Sequence, residues 1–202
     1  MKDKINIFWF RRDLRLDDNV GLYQALQDDV PVLPIFIFDT EILENLPKND
    51  ARVTFIHEQL QKLNNQLGAN HDSGIAQFYD TPKKVFKQLL KDYKMEAVYT
   101  NHDYEPYAKK RDGEIKLFLE ENKVEFKTFK DQVIFEKDEV VKDDGDPYVV
   151  YTPFMKKWKE NFNPSIHLVE YDTLSDLGKN LYPSKNLPKL SLKDMGFEES
   201  SI

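Results

Sequence analysis

The chain has 202 residues, 40% of them apolar and 13% aromatic, and a formal net charge of −7 with acidic and basic residues interspersed. That length suits one α/β domain with a tail and buries roughly 70% of the unfolded surface. With no cysteine, disulfides, thiolate metal sites and cysteine nucleophiles are excluded. The acidic balance argues against a domain that clamps DNA by itself.

His57, His71, His102 and His167 include no ligand-spaced pair, so no metal site is expected. Met1 to Lys4 lead into an apolar run too short for a signal peptide or membrane span, and a soluble cytoplasmic protein is the expectation.

Ile5, Ile7, Phe8, Trp9 and Phe10 form a nearly continuous apolar run, the pattern of a central parallel strand covered on both faces. Arg11, Arg12, Asp13, Arg15, Asp17 and Asp18 follow, and the expectation is an Arg/Asp network at that strand's carboxyl end. Asp17, Asp18 or Asn19 then caps a helix whose inner face is Leu22, Ala25 and Leu26. Val32 to Phe38 is a second buried strand, although Pro31 and Pro34 weaken its start, because proline cannot donate to a ladder.

From Ala51, the spacing of Val53, Ile56, Leu60, Leu63 and Leu67 predicts an amphipathic helix capped at Asn49 or Asp50 and ended by Gly68. Ile75 to Tyr79 is a third strand, and Thr81-Pro82 opens a helix with Val85, Phe86, Leu89, Leu90 and Tyr93 inward. Ala97 to Thr100 is the fourth strand, running into the polar stretch Asn101 to Tyr107. Pro106 starts a helix with Ile115, Phe118 and Leu119 inward, on which Lys109-Lys110-Arg111 reads as a solvated face. Val124 to Phe129 is the fifth strand. Alternating strands and helices predict a doubly wound parallel sheet.

Beyond residue 130 the expectations are a small strand over Gln132 to Phe135, a turn at Asp143 to Pro147, and a short aromatic-rich helix within Tyr148 to Trp158. The last forty or so residues, with Pro164, Pro183 and Pro188, read as an extended segment that packs along the domain or leads to another.

Dinucleotide, P-loop and nucleophile-elbow motifs are all missing, so on motifs alone this is an α/β ligand-binding domain of unknown ligand. Candidate site residues lie at strand ends: Arg11, Arg12, Asp13, Arg15, Phe36, Phe38, Asp39, Arg52, Asp103 and Glu105. Together they suit a planar polar ring system. Each has a plainer role as well: Phe36 and Phe38 as core, Arg11, Asp13 and Arg15 as an ion network, Asp103 and Glu105 as helix caps. Arg52 is the oddest placed, since a helix start disfavours a cation.

Trp9-Phe10-Arg11-Arg12-Asp13-Leu14-Arg15-Leu16-Asp17-Asp18-Asn19 resembles the amino-terminal signature of the DNA photolyase and cryptochrome family. Asn101 to Tyr107 with Arg111-Asp112, Val150 to Phe154 with Trp158, and Leu187-Pro188 with Met195-Gly196-Phe197 resemble later segments in order, so the likeness covers essentially the whole chain. It implies a Rossmann-like five-stranded domain with helices on both faces, its core at 1–130. An added strand, turn and helix would follow at 131–162, then an interdomain linker at 163–202.

In the family a larger helical domain follows, which holds FAD and the DNA groove; these 202 residues do not include it. The implied role is that of the antenna domain of a deoxyribodipyrimidine photolyase, which repairs cyclobutane pyrimidine dimers with light, and damaged DNA would be a partner of the full-length protein alone. A cryptochrome amino-terminal domain or a stand-alone flavin- or nucleotide-binding module is the alternative.

Folate-type members carry an Asn-Glu pair where this chain has Tyr107 and Ala108. Deazaflavin-type members carry an arginine and two acidic residues that Arg52, Asp103 and Glu105 match, with Phe36 as an aromatic wall and Phe38 two residues on. The resemblance therefore implies an 8-hydroxy-deazaflavin or flavin antenna rather than methenyltetrahydrofolate, and no catalytic residue.

Overall fold

The structure is a computed structural model that describes residues 2–183 and 186–201; Met1, and Ser184, Lys185 and Ile202 of the expected linker, lie outside the described residues. The elements run β1 (Lys4–Phe10), α1 (Val20–Leu26), β2 (Val32–Phe38), α2 (Thr40–Leu43), α3 (Ala51–His71), β3 (Ala76–Tyr79), α4 (Pro82–Asp92), β4 (Lys94–Asn101), α5 (Pro106–Glu121), β5 (Glu125–Phe129), α6 (Tyr151–Asn161) and α7 (Pro164–His167). The five strands are parallel, in the order β3-β2-β1-β4-β5. This is the doubly wound sheet expected, with helices on both faces.

Strand periodicity divides the core. Phe8 and Phe10, with Val32, Phe36 and Phe38, face α1 and α3. Ile5, Ile7 and Trp9, with Leu33, Ile35 and Ile37, face α4 and α5. β1 and β2 are buried on both sides, which is why they read as unbroken apolar runs.

Pro34 is accommodated within β2 by its place along the strand. Val32, two residues earlier and on the same side, bridges to Leu181, and its carbonyl accepts Tyr182 N–H at 2.7 Å. Pairing with β3 begins only at Ile35. The missing proline donor therefore falls between two partners.

Three expectations are corrected. α3 runs past Gly68 to His71 and ends at Asp72, which takes the left-handed conformation (φ 50°). No strand forms over Gln132 to Phe135; Phe135 packs instead on Trp158, ring centroids 5.4 Å apart, and on His167 at 4.8 Å. Lys109 and Lys110 are solvated, but the Arg111 side chain is only 9% exposed and lies over Trp9.

The irregular tail packs along the domain. Pro188 C=O accepts Gln77 N–H at 2.8 Å, covering the outer edge of β3. Met195 and Phe197 enter the core cluster of α1 and α3, and Ser200 N–H donates to Thr54 Oγ1 at 3.0 Å. Among the described residues, no helix is long and apolar enough to cross a membrane.

Candidate functional site

Ligands of doubly wound sheets gather at the carboxyl ends of the strands, where the order reverses, here between β1 and β4. In this chain its own side chains narrow that crevice to a cavity of about 80 Å³. Asn101, the last residue of β4, accepts Gly21 N–H at 2.9 Å and donates to Asn19 Oδ1 at 2.9 Å and to Asp13 Oδ2 at 2.5 Å. Asn19 Oδ1 also caps α1 through Leu22 N–H at 3.1 Å. Gly21 is required by this close approach: a Cβ there would lie 2.5 Å from Asn101 Oδ1 and 2.9 Å from the Phe8 ring.

The arginines after β1 are anchored from afar, as the expected ion network. Arg11 Nη1 sits 2.7 Å from both oxygens of Asp112, and Nη2 donates to Asn101 C=O. Burial pulls the Arg11 guanidinium below its ordinary value, with Asp112 opposing. Arg11 and Arg111 both lie over the Trp9 ring, at 5.1 and 5.0 Å. Arg15 Nη2 is 2.8 Å from Asp131, whose carboxylate also accepts Val20 N–H. At the end of β2, Asp39 accepts Glu41 N–H at 3.1 Å and the Tyr107 hydroxyl at 2.5 Å. Burial raises the Asp39 carboxyl, against the Tyr107 hydrogen bond. The same burial and the Asp39 carboxylate raise Tyr107.

Held in this way, the 11–15 loop forms one wall of an open cleft of about 820 Å³; the other is the first two turns of α3. Arg11, Arg12, Asp13, Leu14 and Arg15 line the first, and Ala51, Arg52, Phe55, Ile56 and Gln59 the second. Phe55 is 55% exposed, an unusual state for an aromatic side chain on a helix that otherwise buries its apolar face.

The expected site residues divide. Arg52 lines the cleft, its side chain 70% exposed and paired bidentately with Asp50, at 2.9 Å from Nε and 2.7 Å from Nη2. Asp103 and Glu105 reach the cleft only through Arg12, whose Nη1 lies 3.3 and 3.1 Å from them. Phe36 and Phe38 are buried, edge to face at 4.8 Å, within the core cluster against which the lining residues Leu14 and Ile56 pack.

Sequence reasoning missed Phe55 and Gln59. The signal was available: 52, 55, 56 and 59 recur at helical spacing, and Phe55 lies off the apolar stripe. The arrangement offers apolar surface flanked by cations, which suits a planar ring with an anionic or hydrogen-bonding edge. Among the described residues, no group of His, Asp and Glu is arranged to hold a metal ion.

A family model described as DNA photolyase matches residues 6–172. A deoxyribodipyrimidine photo-lyase from Synechococcus sp. is 34% identical over 159 residues, 79% of this chain and 33% of the relative. A bacterial class III photolyase from Agrobacterium tumefaciens superposes with a TM-score of 0.77 at 26% identity, covering 96% of this chain and 38% of that one. An archaeal photolyase from Sulfolobus tokodaii, solved with two FAD molecules and the implication of a novel light-harvesting cofactor, superposes with a TM-score of 0.61. Its identity is 36%, over 68% of this chain and 32% of its own. The chain spans about a third of the length of these relatives. It belongs to the DNA photolyase family.

Proposed function

We propose that this member of the DNA photolyase family is a light-harvesting domain, and that the cleft between the 11–15 loop and α3 binds its antenna chromophore, of 8-hydroxy-deazaflavin or flavin type. The observation that carries the reading is the cleft itself: Leu14, Phe55 and Ile56 offer a surface for a planar ring, and Arg12 and Arg52 flank it. A bound chromophore of this kind absorbs light and passes excitation onward. The protein's part is to bind and orient it, which needs no general acid or base.

A folate arrangement is disfavoured by what occupies its positions. The Tyr107 hydroxyl is taken by Asp39, and Ala108 is 2% exposed. The Sulfolobus tokodaii photolyase with its two FAD molecules supports a flavin. We read residues 1–130 as the domain core, 131–162 as packed on it, and 163–202 as leading toward a helical FAD-binding domain. Dimer repair, damaged DNA and the catalytic flavin are assigned to the part of the relatives' length that this chain does not span.

The test is fluorescence titration of the purified chain with 8-hydroxy-deazaflavin, FMN and methenyltetrahydrofolate. Arg52→Ala should weaken the flavin-type ligands directly, and Asp103→Ala should do so by releasing Arg12. Unchanged affinity in both variants, or folate binding tightest, defeats the assignment.

A further inference from the structure

We infer that residues 190–200 form a strap that holds the first two turns of α3 in place, so that docking of the tail and occupancy of the cleft are coupled. The coupling rests on the cleft reading above; the strap itself does not.

Three polar contacts tie this stretch to the start of one helix. Glu198 N–H donates to Lys48 C=O at 2.8 Å, just ahead of the cap Asp50. Ser200 N–H donates to Thr54 Oγ1 at 3.0 Å. His57 Nε2 lies 2.9 Å from Leu190 C=O, and since a carbonyl only accepts, the ring donates there. Leu190, Leu192, Met195 and Phe197 pack in the cluster that also holds Val53, Leu60 and Leu63. With about 3.6 residues per turn, Thr54 and His57 fall on the opposite side of α3 from Arg52, Phe55 and Gln59, which line the cleft. The helix wall of the cleft is thus gripped from behind.

The strap carries its own fixed shape. Its single 3₁₀ turn, Lys193–Met195, is closed by Asp194, which accepts the Ser191 N–H at 2.7 Å and the Ser191 hydroxyl at 2.8 Å. Gly196 follows in the left-handed conformation at φ 77°, and Phe197 N–H returns to Leu192 C=O at 2.9 Å. A Cβ at Gly196 would meet nothing within 4 Å, so a side chain there strains the turn without touching α3 or the cleft. Ordering either the strap or the helix start lowers the entropy cost of ordering the other. By linkage, a ligand that needs the helix wall in place also favours the docked strap.

The experiment measures hydrogen exchange and FMN affinity in the wild-type chain, Gly196→Val and Thr54→Val. The first variant strains the strap from its own side, and the second removes the acceptor of Ser200 from the helix side. In both, amides 53–59 should exchange about tenfold faster, the span of left-handed strain on a β-branched residue or of one buried hydrogen bond, with α4 and α5 unchanged. FMN affinity should fall about fivefold or more, and FMN should slow exchange at residues 195–200 of the wild-type chain. Unchanged exchange in α3 overturns the strap whether or not a flavin binds. An equal rise in α3, α4 and α5 is a loss of general stability and also overturns it. Faster α3 exchange with unaltered FMN affinity overturns the coupling. Absence of FMN binding by the wild-type chain defeats the cleft reading and the coupling with it, while the exchange rates still decide the strap.

Discussion

Replacing Asn101 with leucine should release the loop that forms the cleft. The side chain is 5% exposed and makes three hydrogen bonds, to Gly21 N–H, Asn19 Oδ1 and Asp13 Oδ2. Two join neutral groups, each worth about 1 kcal/mol net; the third, to a carboxylate, is worth about 1.5–3 kcal/mol. Leucine keeps the branching but is larger, so no cavity opens; the lost hydrogen bonds sum to about 3–5 kcal/mol, and crowding against Gly21 adds to that cost. For a chain of this size each kcal/mol lowers Tm by about 2–4 °C, so a drop of roughly 10 °C is expected. Urea denaturation followed by circular dichroism reads the same quantity as a lower midpoint with an unchanged slope. An Asn101→Leu variant within about 1 kcal/mol of wild type would refute the claim that this residue ties β4 to the 11–15 loop and α1.

Two further outcomes follow from the same packing. Burial raises the Asp39 carboxyl, so the folded chain binds that proton more tightly than the unfolded one, and this group's contribution to stability declines as pH rises from the ordinary aspartate value through the raised one. Asp39→Asn should therefore gain stability relative to wild type across that window and hold the gain at neutral pH; chemical denaturation at pH 4 and pH 7 measures it, and a pH-independent difference contradicts the assignment. Phe197→Ala should cost about 3–5 kcal/mol, because the ring is 6% exposed in the α1 and α3 cluster; a neutral effect in thermal melts would show the tail to be undocked.

The strands and main helices were legible because their burial is periodic. Buried runs in β1 and β2, and the 3.6-residue stripe of α3, are direct imprints of which side faces the core. What failed depended on contacts distant in sequence. Gly68 is an ordinary helix terminator, yet α3 stays helical beyond it and turns at Asp72. Arg111 lies in a basic run on a helix, and only the fold brings Trp9 beneath it and Asp112 against Arg11, a residue 101 positions away. The tail carries no period because it buries single residues, Leu187, Met195 and Phe197, while its backbone serves the edge of β3.

At the site, the residue types were legible and their partners were not. Arg52 stands out in the sequence as a cation at a helix start, and it lines the cleft. Asp103 and Glu105 read as ligand acceptors, and their partner in the structure is Arg12. Phe36 and Phe38 looked like walls and are the layer beneath. The exposed ring is Phe55, one helical turn from Arg52, where an apolar residue interrupts a polar face.

We propose that a flavin-type chromophore occupies the cleft between the 11–15 loop and α3. Backbone and side-chain NMR of the chain titrated with FMN tests it most directly. Shift changes should concentrate at Arg12, Leu14, Arg52, Phe55 and Gln59, with ring-current shifts at Leu14 and Ile56. Shifts centred on another surface, with these residues unmoved at saturating FMN, would contradict it.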